Sequence, residues 1–326
     1  MPSSSRGAWR RLLFWALVLQ MSGVVLFIAV LLLGEDSRPT LILLYLPRFP
    51  LLVAAATGAL LAPLTRRRVP LLLALEAVLS LVVLFPVMGL SLSMSHPAER
   101  PIHLASYNVY FGHKGRPAVI DEIVAMPADI VVIQAAFDSL SDGLRKRLPR
   151  RTIRQDSQFV LVSRFPLRSV ELPPDLPDGT PAMFVEYVID TPDGALRVFN
   201  VHPYSPRHAL FGDSETDGNI AQREGQIAAA VAAARSDVPP FVIAGDTNLP
   251  ALSGIGRRQL SGLNDAFSEV GFGFGYTFPS RASWMRIDRV LGSDEVRFAD
   301  VLVAPRGASD HHVLFVDFEL DLTSGS

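Results

Sequence analysis

Six polar residues of the C-terminal two thirds of the chain stand at or beside the ends of short apolar segments, and a seventh, Asp288, is expected in the middle of a strand between apolar neighbours. Their carboxylate, amide and imidazole groups are the types that move protons, orient water and hold hard cations. Taken one at a time, each also has a structural explanation, because Gly-Asp-x-Asn makes a good turn and Asp or Asn often caps an element. The seven are Asn108, His202, Asp246, Asn248, Asp288, Asp310 and His311.

The segments that position these residues predict a layered mixture of strands and helices. Short apolar runs such as "DIVVIQ" and "PFVIAGD" indicate strands, and the Ala-rich "NIAQREGQIAAAVAAAR" indicates a helix. The segments "AMFVEYVI" and "ALRVFNVH" flank a Pro- and Gly-containing turn and predict a hairpin. Residues 101–320 are therefore expected to form one mixed α/β (α+β) domain of about 220 residues, followed by a tail at 321–326.

The order of these motifs resembles the endonuclease/exonuclease/phosphatase superfamily, the DNase I-like fold. The succession is Asn-Val, His, Gly-Asp-x-Asn, Ile-Asp and Ser-Asp-His, and "DIVVIQ", "LVSRFPL" and the pair Arg223 and Gln226 match further segments of that family. The resemblance covers essentially all of 101–320. It implies a four-layer α/β/β/α sandwich of two sheets, with the site at one edge.

The resemblance also implies roles for the seven residues. Members of the superfamily hydrolyse phosphate esters with a divalent metal, here expected to be Mg²⁺ or Mn²⁺, which neutralises the charge that repels a nucleophile. Asn108 and Asp310 match positions in or beside the metal shell, and Asp246 and Asn248 would orient or deprotonate the attacking water. The remaining roles are a hydrogen bond from His311 to the phosphoryl group, orientation of that imidazole by Asp288, and a second donor or a proton from His202.

One position departs from the family. The family has Gln-Glu at the end of the second core strand, where the Glu is a metal ligand, and this chain has Gln134-Ala135. Asp129 lies about 20 Å away at the other end of that strand, because each strand residue advances about 3.3 Å. Asp138 is near enough only if the chain turns back after Ala136. The loss of one carboxylate predicts a weakened metal site.

The N-terminal 95 residues have a different composition. The chain is 49% hydrophobic with a mean hydropathy of +0.30. Residues 1–95 carry a net charge of +5 and residues 96–326 a net charge of −7. Apolar runs at about 12–33, 49–64 and 69–92 predict three transmembrane helices, with Arg48 and Glu76 expected to reach the headgroups from near the helix ends. A polar segment at 96–100 is the expected linker.

The charges that flank these runs predict an orientation. Three Arg residues precede the first run, and Arg66, Arg67 and Arg68 separate the second from the third, whereas the loop "GEDSRP" is acidic. Under the positive-inside rule the N-terminus is cytoplasmic, and three crossings place the C-terminal domain outside. Such an anchor is similar to that of membrane-bound bacterial members of the family. The predicted location is therefore the bacterial inner (plasma) membrane.

Two functions remain open on the sequence. The first is a membrane-anchored, outward-facing metal-dependent phosphoesterase with a modified metal site. The second is a catalytically inactive module on the same fold that binds a phosphorylated or anionic ligand, which Ala135 favours. A net charge of −7 and a bilayer partner favour a small phosphoester or lipid headgroup over duplex DNA. A transport function is disfavoured because three helices with peripheral charges offer no path. The sequence predicts no protein partner.

Overall fold

The computed structural model of the chain describes residues 3–211, 216–236 and 240–321. The chain folds into two compact units. The N-terminal unit comprises residues 1–90 together with the short segment 251–254, and the C-terminal unit comprises the remainder. Each unit has its own architecture.

The N-terminal unit consists of apolar helices. These are α1 (Ser3–Leu31), α2 (Arg38–Tyr45), α3 (Phe49–Thr65) and α4 (Val69–Val82), and α4 runs on into a π-helical turn, Val83–Val87. Two stretches, Arg6–Leu31 and Val69–Val87, are long and apolar enough to cross a membrane. The pair α2 and α3 is bent by 72° and would make a third span if it is counted as one. By length and composition, the part of the chain that the structure describes contains two or three possible membrane spans.

A stripe of small residues on α3 brings this helix close to its neighbours. Ala55, Gly58 and Ala62 are buried, and small residues at such spacing let helix backbones approach closely. Glu76 of α4 fills the space above Gly58, since a Cβ built on that glycine would lie 1.9 Å from Glu76 Oε1 and 2.8 Å from Gln20 Oε1. Glu76 is only 1% exposed. The expectation that it reaches the headgroups is therefore wrong, because its carboxylate points into the helix interface.

Arg48 is also buried rather than extended towards solvent. Its guanidinium donates to the carbonyl oxygens of Val87, Leu44 and Ala251. A helix end leaves such carbonyl groups without helical partners, and Arg48 supplies the donors they lack. Within the same unit Glu35 accepts hydrogen bonds from Ser253 Oγ at 2.5 Å and from the amide nitrogen of Gly254 at 2.6 Å.

The C-terminal unit alternates strands and helices along the chain. In chain order the elements are β1 (Ser91–Leu92), β2 (Ile102–Asn108), α5 (Arg116–Val124), β3 (Ile130–Gln134), α6 (Leu140–Arg147), β4 (Thr152–Asp156), β5 (Phe159–Ser163), β6 (Leu167–Glu171), β7 (Phe184–Thr191), β8 (Gly194–Val201), α7 (Arg207–Phe211), α8 (Thr216–Arg235), β9 (Phe241–Asp246), α9 (Gly254–Gln259), β10 (Asn264–Asp265), α10 (Ala266–Val270), β11 (Phe272–Gly273), β12 (Asp288–Gly292), β13 (Val296–Ala304) and β14 (Val313–Leu320). The predicted hairpin is β7 and β8, which pair antiparallel.

Twelve of these strands form two six-stranded mixed sheets. The first has the order β13-β14-β2-β3-β5-β4, and the second has the order β10-β12-β9-β8-β7-β6. Each sheet contains one parallel pair, β2 with β3 and β8 with β9. The connections of these pairs run through α5 and α8, because parallel neighbours need a crossover. The remaining pairs of both sheets are antiparallel.

Three clusters of buried apolar residues define four layers. The largest joins residues of both sheets, such as Leu104 and Val132 of the first with Val198 and Val242 of the second. A second cluster packs α5 and α6 on the outer face of the first sheet. A third packs α8 and α9 on the outer face of the second sheet. This arrangement confirms the predicted α/β/β/α sandwich.

The segment predicted as a linker, 96–100, lies inside this unit. The amide nitrogen of His96 donates to Ala299 O at 2.9 Å, and that of Arg100 donates to Glu319 Oε1 at 2.7 Å. The preceding β1 pairs with β11. The unit therefore begins at Ser91, ahead of the predicted start at 101, because the pairing of β1 and the hydrogen bonds of His96 and Arg100 hold residues 91–100 against this unit. Of the predicted tail, residues 322–326 lie outside the described part.

Candidate functional site

Strand ends of both sheets meet at one edge of the sandwich and carry the candidate residues. Asn108 is the last residue of β2, and Asp246 is the last residue of β9. His202 directly follows β8, whose parallel pairing with β9 brings the carboxyl ends of the two strands together. The antiparallel strand β12 begins at this edge with Asp288, which is the register partner of Asp246. Residues that are far apart in the chain thus become neighbours.

The Gly-Asp-Thr-Asn turn after β9 depends on its glycine. Gly245 has φ +151°, and a Cβ built on it would lie 2.0 Å from Val201 O. No side chain fits there, because β8 and β9 are paired at this point. Asp246 Oδ1 accepts a hydrogen bond from the Asn248 amide at 2.8 Å, and Arg223 Nη2 donates to Asn248 O at 2.7 Å. These contacts fix the direction of the Asp246 carboxylate.

His311 stands between two buried carboxylates. Its Nδ1 lies 2.9 Å from Asp288 Oδ2, and its Nε2 lies 3.6 Å from Asp246 Oδ2. Burial by itself lowers the pKa of His311, but the attraction of Asp288 and Asp246 outweighs it and raises the pKa to about 9. Burial raises the pKa of Asp246 to about 6, against the lowering influence of His311. His311 is therefore an imidazolium at neutral pH, with Nε2 available as a donor.

His202 has the opposite charge state. Burial, together with the nearby His311, lowers its pKa to about 4. Its Nδ1 lies 2.7 Å from Gln158 Oε1, and its Nε2 lies 3.5 Å from Asn108 Nδ2. An amide oxygen requires a proton on Nδ1, and an amide nitrogen requires a lone pair on Nε2. His202 is therefore neutral, and in this tautomer its Nε2 is an acceptor; the predicted role as a second donor or as the source of a proton for the phosphate stays a prediction.

Asn108 links the two sheets within the site. Its Nδ2 donates to Asp246 Oδ2 at 2.8 Å, and its Oδ1 accepts from the amide of Tyr110 at 3.0 Å. A second link lies deeper, where Gln134 Nε2 donates to Asn200 Oδ1 at 2.7 Å. Both Gln134 and Asn200 are fully buried. Hydrogen bonds of this kind hold the facing strand ends at a set distance.

The departure at position 135 leaves a methyl group at the site. Ala135 is 2% exposed and has φ +51°, and its carbonyl accepts from the Phe111 amide at 2.7 Å. Asp138 is exposed and does not turn back into the buried edge. Asp129 binds the His103 amide and Arg164 at the opposite end of β3. The end of β3 thus contributes no carboxylate of its own.

Asp310 is the most accessible acid of the set. Its side chain is 18% exposed, and its Oδ1 lies 4.0 Å from His311 Nε2. The guanidinium of Arg207, at the start of α7, lies 3.6 Å away on the other side, measured from Nη2 to Asp310 Oδ2. The ring of Tyr110 lies beneath this guanidinium at 5.8 Å. Asp310 therefore faces one cation on each side.

The donor groups fit a divalent cation that is held by few protein ligands. Asp246, Asp288 and His311 offer ligand-type atoms within 4.8 Å of one another, but the two carboxylates keep the imidazole protonated. The oxygens that the family resemblance places in or beside the metal shell are Asn108 Oδ1, which also accepts from the Tyr110 amide, and the Asp310 carboxylate. Mg²⁺ is commonly held by one or two carboxylates and retains several waters. Asn108 and Asp310 suit such an open site, and Ala135 supplies nothing to close it.

Two residues of the site, Gln158 and Arg207, are not predicted from the sequence. Gln158 immediately precedes β5 and Arg207 begins a short helix, and neither is among the polar residues that the sequence singles out. The only signal available was position: Gln158 lies directly before a fully apolar segment, and Arg207 lies five residues after His202. Their partners are 44 and 103 positions away in the chain. Only the packing of the two sheets brings them to the site.

A cavity of about 640 Å³ opens beside His202. Aromatic, thioether and amide side chains line the cavity. The lining includes Phe111, Gln158, Met183, Tyr204, Asn219 and Gln222. Apolar walls with a few amides are typical of pockets for small ligands.

A four-layer α/β/β/α sandwich with Asn, His and Asp residues gathered at one edge defines the DNase I-like class of proteins. The family model of the Endonuclease/Exonuclease/phosphatase family matches residues 105–311. The chain therefore belongs to this family, whose members include phosphoester hydrolases. No curated protein matches the chain in sequence.

Solved structures show the same fold at low sequence identity. An endonuclease/exonuclease/phosphatase from Beutenbergia cavernae has a TM-score of 0.54 at 18% identity, over 68% of this chain and 72% of that one. A family protein from Bacteroides thetaiotaomicron has a TM-score of 0.54 at 16% identity, over 69% and 98%. The 3′ phosphatase NExo from Neisseria, bound to a product DNA hairpin, has a TM-score of 0.53 at 18% identity, over 67% and 99%.

Proposed function

We propose that this protein hydrolyses phosphate esters at the edge where Asp246, His311 and His202 meet. The observation that carries the proposal is the position of His311, whose Nδ1 lies 2.9 Å from Asp288 Oδ2 while its Nε2 lies 3.6 Å from Asp246 Oδ2. A buried imidazolium beside a carboxylate gives an acid and a base in one site. A site that only binds an anion needs the imidazolium of His311 but gains nothing from the adjacent carboxylate of Asp246.

The residues of the chain divide the work as follows. Asp246 accepts the proton of an attacking water, and its raised pKa of about 6 makes it a better base than an exposed carboxylate. His202 Nε2 lies 3.7 Å from Asp246 Oδ2, so a water between them donates to two acceptors and directs its lone pair outward. His311 Nε2 donates to the phosphoryl oxygen as negative charge grows on it. Asp288 holds the ring of His311 in place.

Asn248 and Asn108 position the base, whereas Asp310 serves the cation. The backbone amide of Asn248 fixes one oxygen of Asp246, and Asn108 Nδ2 fixes the other. A divalent cation, Mg²⁺ or Mn²⁺, held by Asn108 and Asp310 would neutralise charge on the phosphate. The open ligand set, with Ala135 in place of an acid, supports a lower affinity for that cation than a three-ligand site would have.

A small phosphoester or a lipid headgroup is the proposed substrate. The net charge of −7 over residues 96–326 opposes a polyanion, and the cavity beside His202 is of small-ligand size. We also propose that apolar helices anchor the protein in the bacterial inner membrane, with the N-terminus in the cytoplasm and the catalytic unit outside. The Arg clusters at 6–11 and 66–68 support that orientation.

The test of the proposed activity is hydrolysis by the purified full-length chain in detergent. With Mg²⁺ or Mn²⁺ it should release nitrophenol from bis-p-nitrophenyl phosphate, and His311→Ala should abolish the release. The matched control is His103→Ala, because His103 also pairs with an aspartate, Asp317 at 2.7 Å, but lies near the far end of β2. No turnover with either metal by a folded wild-type protein would refute the proposal.

The substrate class can be separated in the same assay. A soluble glycerophosphodiester, a phospholipid in mixed micelles and a DNA hairpin would be compared at equal phosphate concentration. We expect one of the first two to be cleaved fastest. The DNA hairpin represents the competing substrate class, because the structurally similar phosphatase from Neisseria was bound to one. Preferential cleavage of the hairpin would contradict the proposed substrate class.

A binding module on the same fold is the second candidate function, and Ala135 is the observation that favours it. The discriminating variant is Ala135→Glu, which restores the carboxylate that the family has at this position. If the wild-type protein is inactive and Ala135→Glu creates activity, the chain is a binding module that has lost catalysis. If the wild-type protein is active and the variant only changes its metal dependence, the natural site catalyses in its altered form.

A further inference from the structure

Arg207 occupies a position that the proposed catalytic roles leave unused. Its Nη2 is 3.6 Å from Asp310 Oδ2, whereas the other oxygen of the same carboxylate is 4.0 Å from His311 Nε2. One carboxylate therefore spans the distance between the guanidinium and the imidazole donor. A phosphate group that accepts a hydrogen bond from His311 lies within reach of Arg207.

The contact between Arg207 and Asp310 is loose. The side chain of Arg207 is 54% exposed, and its separation from Asp310 is longer than a charge-assisted hydrogen bond, which is usually about 2.7–2.9 Å. Exposed ion pairs of this kind contribute little to stability. An incoming phosphate can therefore recruit the guanidinium at little energetic cost. The planar fork of Arg suits two phosphate oxygens at once.

Because Ala135 stands where the family has a Glu, the guanidinium of Arg207 has a larger effect on the charge of the site. Ala135 contributes only a buried methyl group, so the accessible carboxylate near Arg207 is Asp310, and Arg207 already offsets its charge. A divalent cation would thus meet one partly neutralised carboxylate and one amide oxygen. Arg207 and the absent carboxylate change the electrostatics in the same direction: both weaken the attraction for a metal and strengthen the attraction for an anion.

We propose that Arg207 is a built-in cation of this site, which binds the oxyanion of the phosphoryl group so that phosphate binding does not require a divalent metal. The inference rests on the proposed function only in that the ligand is the phosphoryl group of the same site. It concerns binding, and it holds whether or not the bound ester is then cleaved.

The test is calorimetric titration of the full-length protein in detergent with inorganic phosphate, first in EDTA and then in Mg²⁺. We expect the wild-type protein to bind phosphate in EDTA as well as in Mg²⁺. Arg207→Gln should weaken binding in EDTA by about 10- to 100-fold, the range expected for a lost charge-assisted hydrogen bond. Arg168→Gln is the matched control, because Arg168 is similarly exposed, at 58%, and pairs with an aspartate, Asp190, in β7.

A second pair of variants reports on the metal directly. Binding of Mn²⁺, followed by its electron paramagnetic resonance signal, should be tighter in Arg207→Gln than in the wild-type protein. It should be tightest when Arg207→Gln is combined with Ala135→Glu. Phosphate binding by the wild-type protein that appears only with Mg²⁺, or is absent in both buffers, would overturn the proposal. So would equal phosphate affinities for Arg207→Gln and Arg168→Gln in folded proteins of unchanged thermal stability.

Discussion

At the scale of single residues, two histidines of one site carry different charges because their partners differ. Both rings have Nε2 within 3.7 Å of Asp246 Oδ2, but Nδ1 of His311 lies against the Asp288 carboxylate, whereas Nδ1 of His202 lies against the Gln158 amide. Both rings are buried, and burial alone disfavours an imidazolium. Asp288 and Asp246 overcome that effect at His311, whereas at His202 the nearby His311 adds to it. The neighbours of each ring therefore determine which one donates and which one accepts.

This difference predicts that Gln158→Glu raises the pKa of His202. A carboxylate 2.7 Å from Nδ1 would favour the imidazolium, so His202 would gain a proton near neutral pH and lose its acceptor at Nε2. Histidine-specific NMR of the labelled protein would follow the titration. Gln158→Met is the control, because it removes the amide without adding a charge and should leave His202 neutral. An unchanged titration in Gln158→Glu would contradict this account of the His202 charge state.

The raised pKa of His311 also predicts how folding stability changes with pH. Its folded pKa of about 9 lies above the ordinary value of 6.5. Its contribution is therefore fully present below about pH 6.5 and is lost as the pH rises through about 9. The thermal midpoint of the wild-type protein should fall between pH 6 and pH 9.5 by more than that of His311→Gln. If the thermal midpoints of the two proteins changed with pH in parallel, His311 would not be the source of this pH-dependent stability.

At the scale of elements, the turn after β9 sets the position of the proposed base. The Asp246 carboxylate takes its direction from a backbone that passes too close to Val201 for any side chain at Gly245. The same turn presents Asn248 with φ +53°, a conformation that Asn tolerates better than most residues. The sequence Gly-Asp-Thr-Asn thus matches a backbone requirement as well as a chemical one.

Gly245→Ala should therefore destabilise the protein by more than about 2 kcal/mol, since the new Cβ would force β8 and β9 apart. Activity should fall with it, because Asp246 would move. Gly218→Ala is the matched control: Gly218 lies in α8, where a Cβ meets nothing within 4 Å, so the substitution should stabilise the protein by about 0.5–1 kcal/mol. Chemical denaturation of both variants measures the two effects. Equal stabilities would refute the argument from close approach.

At the scale of the whole molecule, the chain joins a unit of apolar helices to a layered α/β unit. The apolar segments predict the helices well, since α1, α3 and α4 all fall on predicted runs. The contacts between the helices of that unit could not be predicted from the sequence. A lone Glu near a helix end is typical of a headgroup contact, and only the fit of Glu76 against Gly58 shows that it is an interhelical residue.

The proposed orientation predicts the outcome of fusions at the C-terminus. Alkaline phosphatase joined after Asp321 should be active in bacterial cells, because this enzyme folds only outside the cytoplasm, and a green fluorescent protein fusion at the same point should be dark. Fusions after Arg67 should give the reverse result, since that loop is predicted to be cytoplasmic. An inactive phosphatase fusion after Asp321 would refute three crossings and favour the count of two.

The sequence by itself determined the mixed α/β class, the apolar helices and the set of polar site residues, and the resemblance carried by its motifs implied the sandwich. Periodicity and local motifs are properties of neighbouring residues, so they can be read along the chain. It also determined the absence of an acid at position 135. Only the tertiary structure decided that burial and the nearby His311 lower the pKa of His202, that Arg207 faces Asp310, and that Asp288 and Asp246 enclose His311. These are contacts between residues far apart in the chain, and their electrostatic consequences exist only once the two sheets have packed.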